Sequence, residues 1–156
     1  MLGFIGGVAL TLNLERILDG IEALFHVTLM PEDVYYITGL PTDMQVIGAV
    51  QRQSRDNTVV MCAAGTMPGE LHQLWKSKLP LSYHMEYGFS CMGYEVAGAM
   101  GIKLADPSKE VICFVGDGSY MMANSELATA VMRRVPFTIV LTDNRGYGCI
   151  NRLQQA

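Results

Sequence analysis

Residues 111–119 read VICFVGDGS, and residues 137–144 read FTIVLTDN. Each is a five-residue apolar run that closes on small or polar turn formers. The first predicts a buried parallel strand emptying into a tight turn at Gly116-Asp117-Gly118-Ser119. Between the two runs, residues 124–134 (NSELATAVMRR) place Leu127, Ala128, Val131 and Met132 at helical spacing. Arg133 and Arg134 fall in the last turn, where the helix dipole favours cations, and Pro136 ends the helix. Strand, helix and strand make one βαβ unit with a right-handed crossover. The predicted fold class is therefore α/β, a parallel sheet flanked by helices in three layers.

Neighbouring parallel strands lie roughly 5 Å apart. With these two as neighbours, Asp117 and Asn144 share the carboxyl edge of the sheet, where open α/β sheets bind ligands. Asp117 brings a hard anionic oxygen, Asn144 a neutral carbonyl oxygen, and Gly146 a backbone carbonyl with no side chain in the way. Three oxygens without sulfur or imidazole suit Mg2+, which keeps the rest of its octahedron for phosphate and water. Gly118 and Ser119 open the turn before the helix, where free N–H groups attract anions. The expected ligand is a magnesium-bridged diphosphate. A plain βαβ whose Gly-Asp-Gly is only a turn is the bland alternative.

The two-part motif is Gly-Asp-Gly-Ser at 116–119, a 27-residue step from Asp117 to Asn144, and Gly146-Tyr147-Gly148. It resembles the thiamine diphosphate motif of the decarboxylase and acetolactate synthase superfamily. Residues 62–71 (CAAGTMPGEL) and 85–95 (MEYGFSCMGYE) are more specific. They are similar to the trihydroxycyclohexane-1,2-dione hydrolase family of inositol breakdown, and the resemblance covers roughly residues 40–155. It implies thiamine diphosphate and Mg2+ as cofactors. Asp117, Asn144 and the Gly146 carbonyl would hold the metal. Gly116, Gly118, Ser119 and Tyr147 would belong to the cofactor site, with Gly65 and Thr66 on its diphosphate side. Gly88 and Met92 would line the pyrimidine side, Met92 as the apolar prop that bends the cofactor. Read without the family, Met92 is an ordinary core methionine among 11, and Gly65-Thr66 is a structural turn.

Length and composition set the frame. One domain is the expectation for 156 residues. Half are hydrophobic and only 17% charged, which suffices for a packed core. The net charge of -4 and the scattered Lys and Arg speak against nucleic acid or an anionic membrane as partner. Cys62, Cys91, Cys113 and Cys149 form no CxxC pair, so reduced thiols in a cytoplasmic setting are the simpler expectation, with Cys113 in the core.

Residues 1–12 are apolar and Gly-rich but too short for a bilayer, which needs about 20 apolar residues. They lack signal-peptide features and read as a buried piece or a tail. An amphipathic helix is predicted over 14–25 and a connector over 30–41. His26 reads as a bland histidine beside that helix. Residues 1–38 thus form a segment of unassigned origin, and 39–156 a partial diphosphate-binding domain. Thr42 is a fair N-cap for a helix to Arg52 with Met44, Ile47 and Val50 as its apolar stripe. Residues 57–63 are the first parallel strand, with a helix from Pro68 to Trp75. His72 is expected on that helix's surface, and His84 and Glu86 are given no catalytic role. A helix rich in small residues follows Gly93.

By the resemblance, the cofactor's thiazolium carbanion would attack one carbonyl of a cyclic 1,2-diketone, the small-molecule substrate, with water assisting ring cleavage. Family members take the activating glutamate from a separate pyrimidine-binding domain, usually across a dimer interface. No such domain fits in residues 1–38, so the chain reads as a fragment needing that domain or subunit, in a homo-oligomer. Two other readings stand beside this one. One is a part of an acetolactate synthase or 2-oxoacid decarboxylase. The other is a truncated, non-catalytic binding module.

Overall fold

A six-stranded sheet forms the middle layer of the computed structural model, which describes residues 3–5, 8–11 and 42–155. In chain order the elements are β1 (Gly3–Ile5), β2 (Val8–Thr11), α1 (Asp43–Gln53), β3 (Thr58–Cys62), α2 (Thr66–Leu74), β4 (Tyr83–Met85), α3 (Tyr94–Ala105), β5 (Glu110–Gly116), α4 (Asp117–Ala123), α5 (Ser125–Met132), β6 (Thr138–Thr142) and α6 (Gly148–Gln155). The strand order is β1-β2-β6-β5-β3-β4. From β4 to β6 every pairing is parallel, and β2 joins β6 antiparallel, as β1 joins β2.

The predicted βαβ unit is present, with Cys113 facing Ile139 and Gly116 facing Thr142 in the β5–β6 register. Two features go beyond the three predicted strands. Tyr83, His84 and Met85 add a fourth parallel strand at the β3 edge. Residues inside the expected N-terminal tail pair as strands along β6. The predicted helix over 14–25, the connector over 30–41 and His26 lie outside the described residues.

Strand β5 shows why the sheet needs cover on both faces. Ile112 and Phe114 join a cluster with Val46, Ile47, Val50, Met67 and Leu71 of α1 and α2. Val111, Cys113 and Val115 point the other way, to Val96 and Ala99 of α3, Ala130 of α5 and Ile139 of β6. A run of apolar residues buried on alternate sides marks a parallel strand inside three layers. Each fully buried Val, Ile or Phe contributes about 1.5–3 kcal/mol by leaving water. Trp75 closes the first layer, edge-on to Phe114 with ring centroids 5.9 Å apart.

Helix ends differ from the expected ones in ways that matter for function. Thr42 is the N-cap of α1, in a capping box with Gln45. Its buried stripe is Val46, Ile47, Ala49 and Val50, which includes Ile47 and Val50 of the predicted stripe, while Met44 in the first turn is 55% exposed. Helix α2 starts at Thr66, two residues before Pro68, which its first turn tolerates because N–H groups there have no helical acceptor. The crossover after β5 is two helices, and the first begins at Asp117 itself.

Candidate functional site

The site starts from the ends of two adjacent strands. Pairing of Gly116 with Thr142 fixes the level of both carboxyl ends. Beyond Thr142 the chain turns sharply. The Arg145 N–H donates to Asp143 Oδ1 at 2.8 Å, Arg145 has φ +61° and Gly146 φ +141°. At Gly146 that backbone is open to glycine and rarely to other residues. The turn delivers the Gly146 N–H to Asp117 Oδ2 at 2.8 Å.

Asn144 completes the group. One terminal atom of its amide lies 2.6 Å from the Gly146 carbonyl oxygen and 3.2 Å from Asp117 Oδ1. As nitrogen it donates to both. As oxygen it is a third acceptor facing two others, an arrangement that needs a cation in its midst. Oxygens on adjacent corners of a magnesium octahedron sit about 2.9 Å apart, given metal–oxygen distances near 2.0–2.1 Å. The observed separations bracket that value, so the donor set fits a small hard cation once the amide turns its oxygen inward. Among the described residues no three His, Cys, Asp or Glu side chains gather into a metal site.

Around this group lies a cleft of about 290 Å³. Its lining includes Gly65, Thr66, Met92, Gly116, Asp117, Gly118, Ser119, Asn144, Gly146 and Tyr147. These span four separate stretches of the chain. Gly88, expected on the pyrimidine side, does not line it. The cause is Glu86, whose carboxylate accepts the N–H groups of Phe89 at 3.0 Å and Cys91 at 2.6 Å and wraps the loop around itself, with Gly88 on the exposed side. Those two hydrogen bonds also hold the Glu86 carboxyl below its ordinary value.

The cleft gathers helix starts. Asp43 of α1, Thr66 of α2, Asp117 and Gly118 of α4, and Gly148 and Cys149 of α6 all line it. Free N–H groups and aligned dipoles at four helix N-termini make it attractive to an anion. Gly118 is held in place by packing, since a Cβ there would come within 2.7 Å of the Tyr147 ring. At the opposite rim Arg152 donates from Nη2 to Thr66 Oγ1. Burial raises the Asp43 carboxyl, and Arg152 opposes that shift.

Ser119 does not present its hydroxyl to the cleft. It is buried, donating to Glu95 Oε1 at 2.7 Å and accepting the Gly93 N–H at 2.8 Å. Its share in anion binding falls to its backbone N–H in the first turn of α4. Burial raises the Glu95 carboxyl, against the hydrogen bonds from Ser119 and Gly93. Burial also pushes the Cys62 thiol up to about 11 and raises that of Cys113. His72 stacks at a tilt on Tyr83, with centroids 6.0 Å apart, away from the cleft lining.

Sequence reasoning missed Asp43, Ala64, Ser90, Thr142, Cys149 and Leu153 as cleft residues. Ala64 and Thr142 were within reach, since Ala64 lies two residues past β3 and Thr142 ends β6 at the carboxyl edge. Ser90 carries a positive φ of 54°, a local signal that composition does not show.

A family model described as "Thiamine pyrophosphate enzyme, C-terminal TPP binding domain" matches residues 63–156, more than half of the chain. The chain belongs to this family. Thiamine pyrophosphate is another name for thiamine diphosphate, so a thiamine pyrophosphate-binding domain is the family assignment that the α/β fold and cleft accompany. Curated relatives extend the match. A 3D-(3,5/4)-trihydroxycyclohexane-1,2-dione hydrolase of Bacillus thuringiensis (strain Al Hakam) is 52% identical over 113 residues, 72% of this chain and 18% of the relative. Its counterpart in Bacillus anthracis (strain CDC 684 / NRRL 3495) is 50% identical over 122 residues, 76% of this chain and 19% of the relative. That of Halalkalibacterium halodurans is 44% identical over 147 residues, 92% of this chain and 23% of the relative. The chain thus spans about a fifth of the length of these relatives. No described helix is long and apolar enough to cross a membrane.

Proposed function

We propose that this chain binds thiamine diphosphate through Mg2+ as the diphosphate-binding part of a hydrolase that opens a cyclic 1,2-diketone, trihydroxycyclohexane-1,2-dione, in myo-inositol breakdown in the cytoplasm. The observation that supports it most is the meeting of Asp117 Oδ1, the Asn144 amide and the Gly146 carbonyl at the carboxyl ends of β5 and β6. Relatives at about 50% identity that carry the hydrolase name support the substrate class.

When bound, thiamine diphosphate supplies a carbon nucleophile and an electron sink. This chain's residues bind and orient. Asp117, Asn144 and the Gly146 carbonyl hold the metal. Backbone N–H groups of Gly118 and Ser119, with the turn at Gly65 and Thr66, receive the diphosphate. Met92 lines the same cleft and supplies the apolar surface against the organic part of the cofactor. The activating glutamate comes from a pyrimidine-binding domain or subunit of the same enzyme, which makes a homo-oligomer the working form.

Calorimetric titration with thiamine diphosphate, with and without Mg2+, tests the reading. Binding that requires Mg2+ is the expected result. A folded chain that gives no heat at millimolar cofactor overturns it.

A further inference from the structure

Glu95 is the second residue of α3, 1% exposed, and it does not line the cleft. A carboxylate taken out of water costs several kcal/mol unless its oxygens are matched by donors. Both are matched. Oε1 accepts from Ser119 Oγ at 2.7 Å, and Oε2 accepts from the Gly93 N–H at 2.9 Å. The same Gly93 N–H reaches Ser119 Oγ at 2.8 Å, so three groups close a ring of hydrogen bonds. The ring joins two stretches of chain that both contribute to the lining of the cleft. Gly93 directly follows Met92, and Ser119 follows the Gly116-Asp117-Gly118 turn. Gly93 also sits in the left-handed region at φ +91°, where a Cβ would come 3.0 Å from Ala123 Cβ and 3.2 Å from Met122 Cβ of α4. Loop and helix therefore pack with no room for a side chain at Gly93.

We propose that Glu95 is a positioning residue, which with Ser119 locks the Met92 loop against the Asp117 turn and holds the cleft at its working width before any ligand enters. An apolar residue of the same size would leave the Ser119 hydroxyl proton unpaired and free the loop to shift. Preorganisation of this kind raises affinity by lowering the ordering cost of binding. The proposal rests on the reading above only for what fills the cleft.

The full chain is compared with its E95Q, E95A and S119A variants in three measurements: hydrogen exchange of the Gly93 amide, thermal midpoint, and titration with thiamine diphosphate and Mg2+. E95A and S119A are expected to speed Gly93 exchange at least tenfold and weaken cofactor binding about tenfold. S119A, which removes one hydroxyl and leaves Glu95 Oε1 without that donor, is expected to lower the midpoint less than E95A does, and it carries the test if E95A does not fold. E95Q is expected to fall between wild type and E95A in both, because its single amide oxygen replaces only one of the two carboxylate acceptors that Ser119 and Gly93 use. Unchanged Gly93 exchange in S119A overturns the lock. Binding that falls only in proportion to global stability makes Glu95 a packing residue and overturns its positioning role, as does E95Q behaving like E95A. If wild type binds no cofactor, the reading of the cleft fails, and the exchange measurement still decides the lock.

Discussion

The Gly146 N–H donates to Asp117 Oδ2 at 2.8 Å, and the other oxygen of the same carboxylate faces the Asn144 amide. One carboxylate thus shapes the loop after β6 and contributes to the candidate metal site. Asp117→Ala removes both roles. The half-buried hydrogen bond contributes about 1 kcal/mol to folding, so the chain should remain folded. Mg2+-dependent binding of thiamine diphosphate should fall at least a hundredfold by calorimetry. Unchanged affinity in Asp117→Ala would remove Asp117 from the metal site.

Gly118 and Tyr147 are coupled by contact. A Cβ at Gly118 would lie 2.7 Å from Tyr147 Cε1 and 3.0 Å from Cδ1. Tyr147 is 46% exposed, so its ring has room to swing outward. Gly118→Ala should therefore leave stability within about 1 kcal/mol, with the gain in helix propensity offsetting the displaced ring. Cofactor affinity should fall about tenfold as Tyr147 leaves its place at the cleft. Tyr147→Ala in the same chain removes the clash, so a double-mutant cycle should show coupling of about 1 kcal/mol. Additive effects in that cycle would show that the contact has no bearing on binding.

Much of the site was legible because its chemistry is local to strand ends. Asp117 and Asn144 each follow an apolar run, and a parallel register between the runs brings them together without any knowledge of side-chain packing. Elements that depend on tertiary context were harder to see. Strand β4 has only three residues, half-buried and exposed in alternation, and its pairing with β3 decides it. Glu95 sits among Tyr94, Val96 and Ala97, where a carboxylate on a helix ordinarily reads as a solvated face. Its burial follows from Ser119, 24 residues away, which sequence periodicity cannot connect to it. Ser119 itself was read as part of the turn before the helix, but it lies within the first turn of α4 and its hydroxyl is buried against Glu95.

Stability should carry a signature of Glu95. Burial holds its folded carboxyl above the ordinary 4.5, with a smaller push from Glu86, while donors from Ser119 and Gly93 work the other way. An acid raised in the folded state keeps its proton there after the unfolded chain has lost its own. Its contribution is full below about pH 4.5 and declines as pH rises from there through the folded value. Glu95→Gln removes this term, so the difference in stability between wild type and variant should shift in favour of the variant across that window. Urea unfolding at a series of pH values measures it. A difference that is flat with pH, or that runs the opposite way, would mean that Glu95 ionises as freely in the folded chain as in the unfolded one.

Arg145 holds a left-handed backbone at φ +61°, next to Gly146 and its carbonyl in the candidate metal site. A side chain in that region costs about 1–2 kcal/mol relative to right-handed backbone, a cost that glycine avoids. The turn does not depend on the arginine side chain for its local bond, because the Arg145 N–H is what donates to Asp143 Oδ1. Arg145→Gly keeps that donor and relieves the strain, offset in part by glycine's greater freedom in the unfolded chain. The expected gain is about 0.5–1 kcal/mol in urea unfolding, with Mg2+-dependent cofactor affinity unchanged. Arg145→Ala is the control, since it removes the same charge and keeps the left-handed cost, and it should show no comparable gain. Equal stabilisation by alanine and glycine would trace the effect to the lost guanidinium, and a loss of stability in Arg145→Gly would show that the arginine side chain supports the turn.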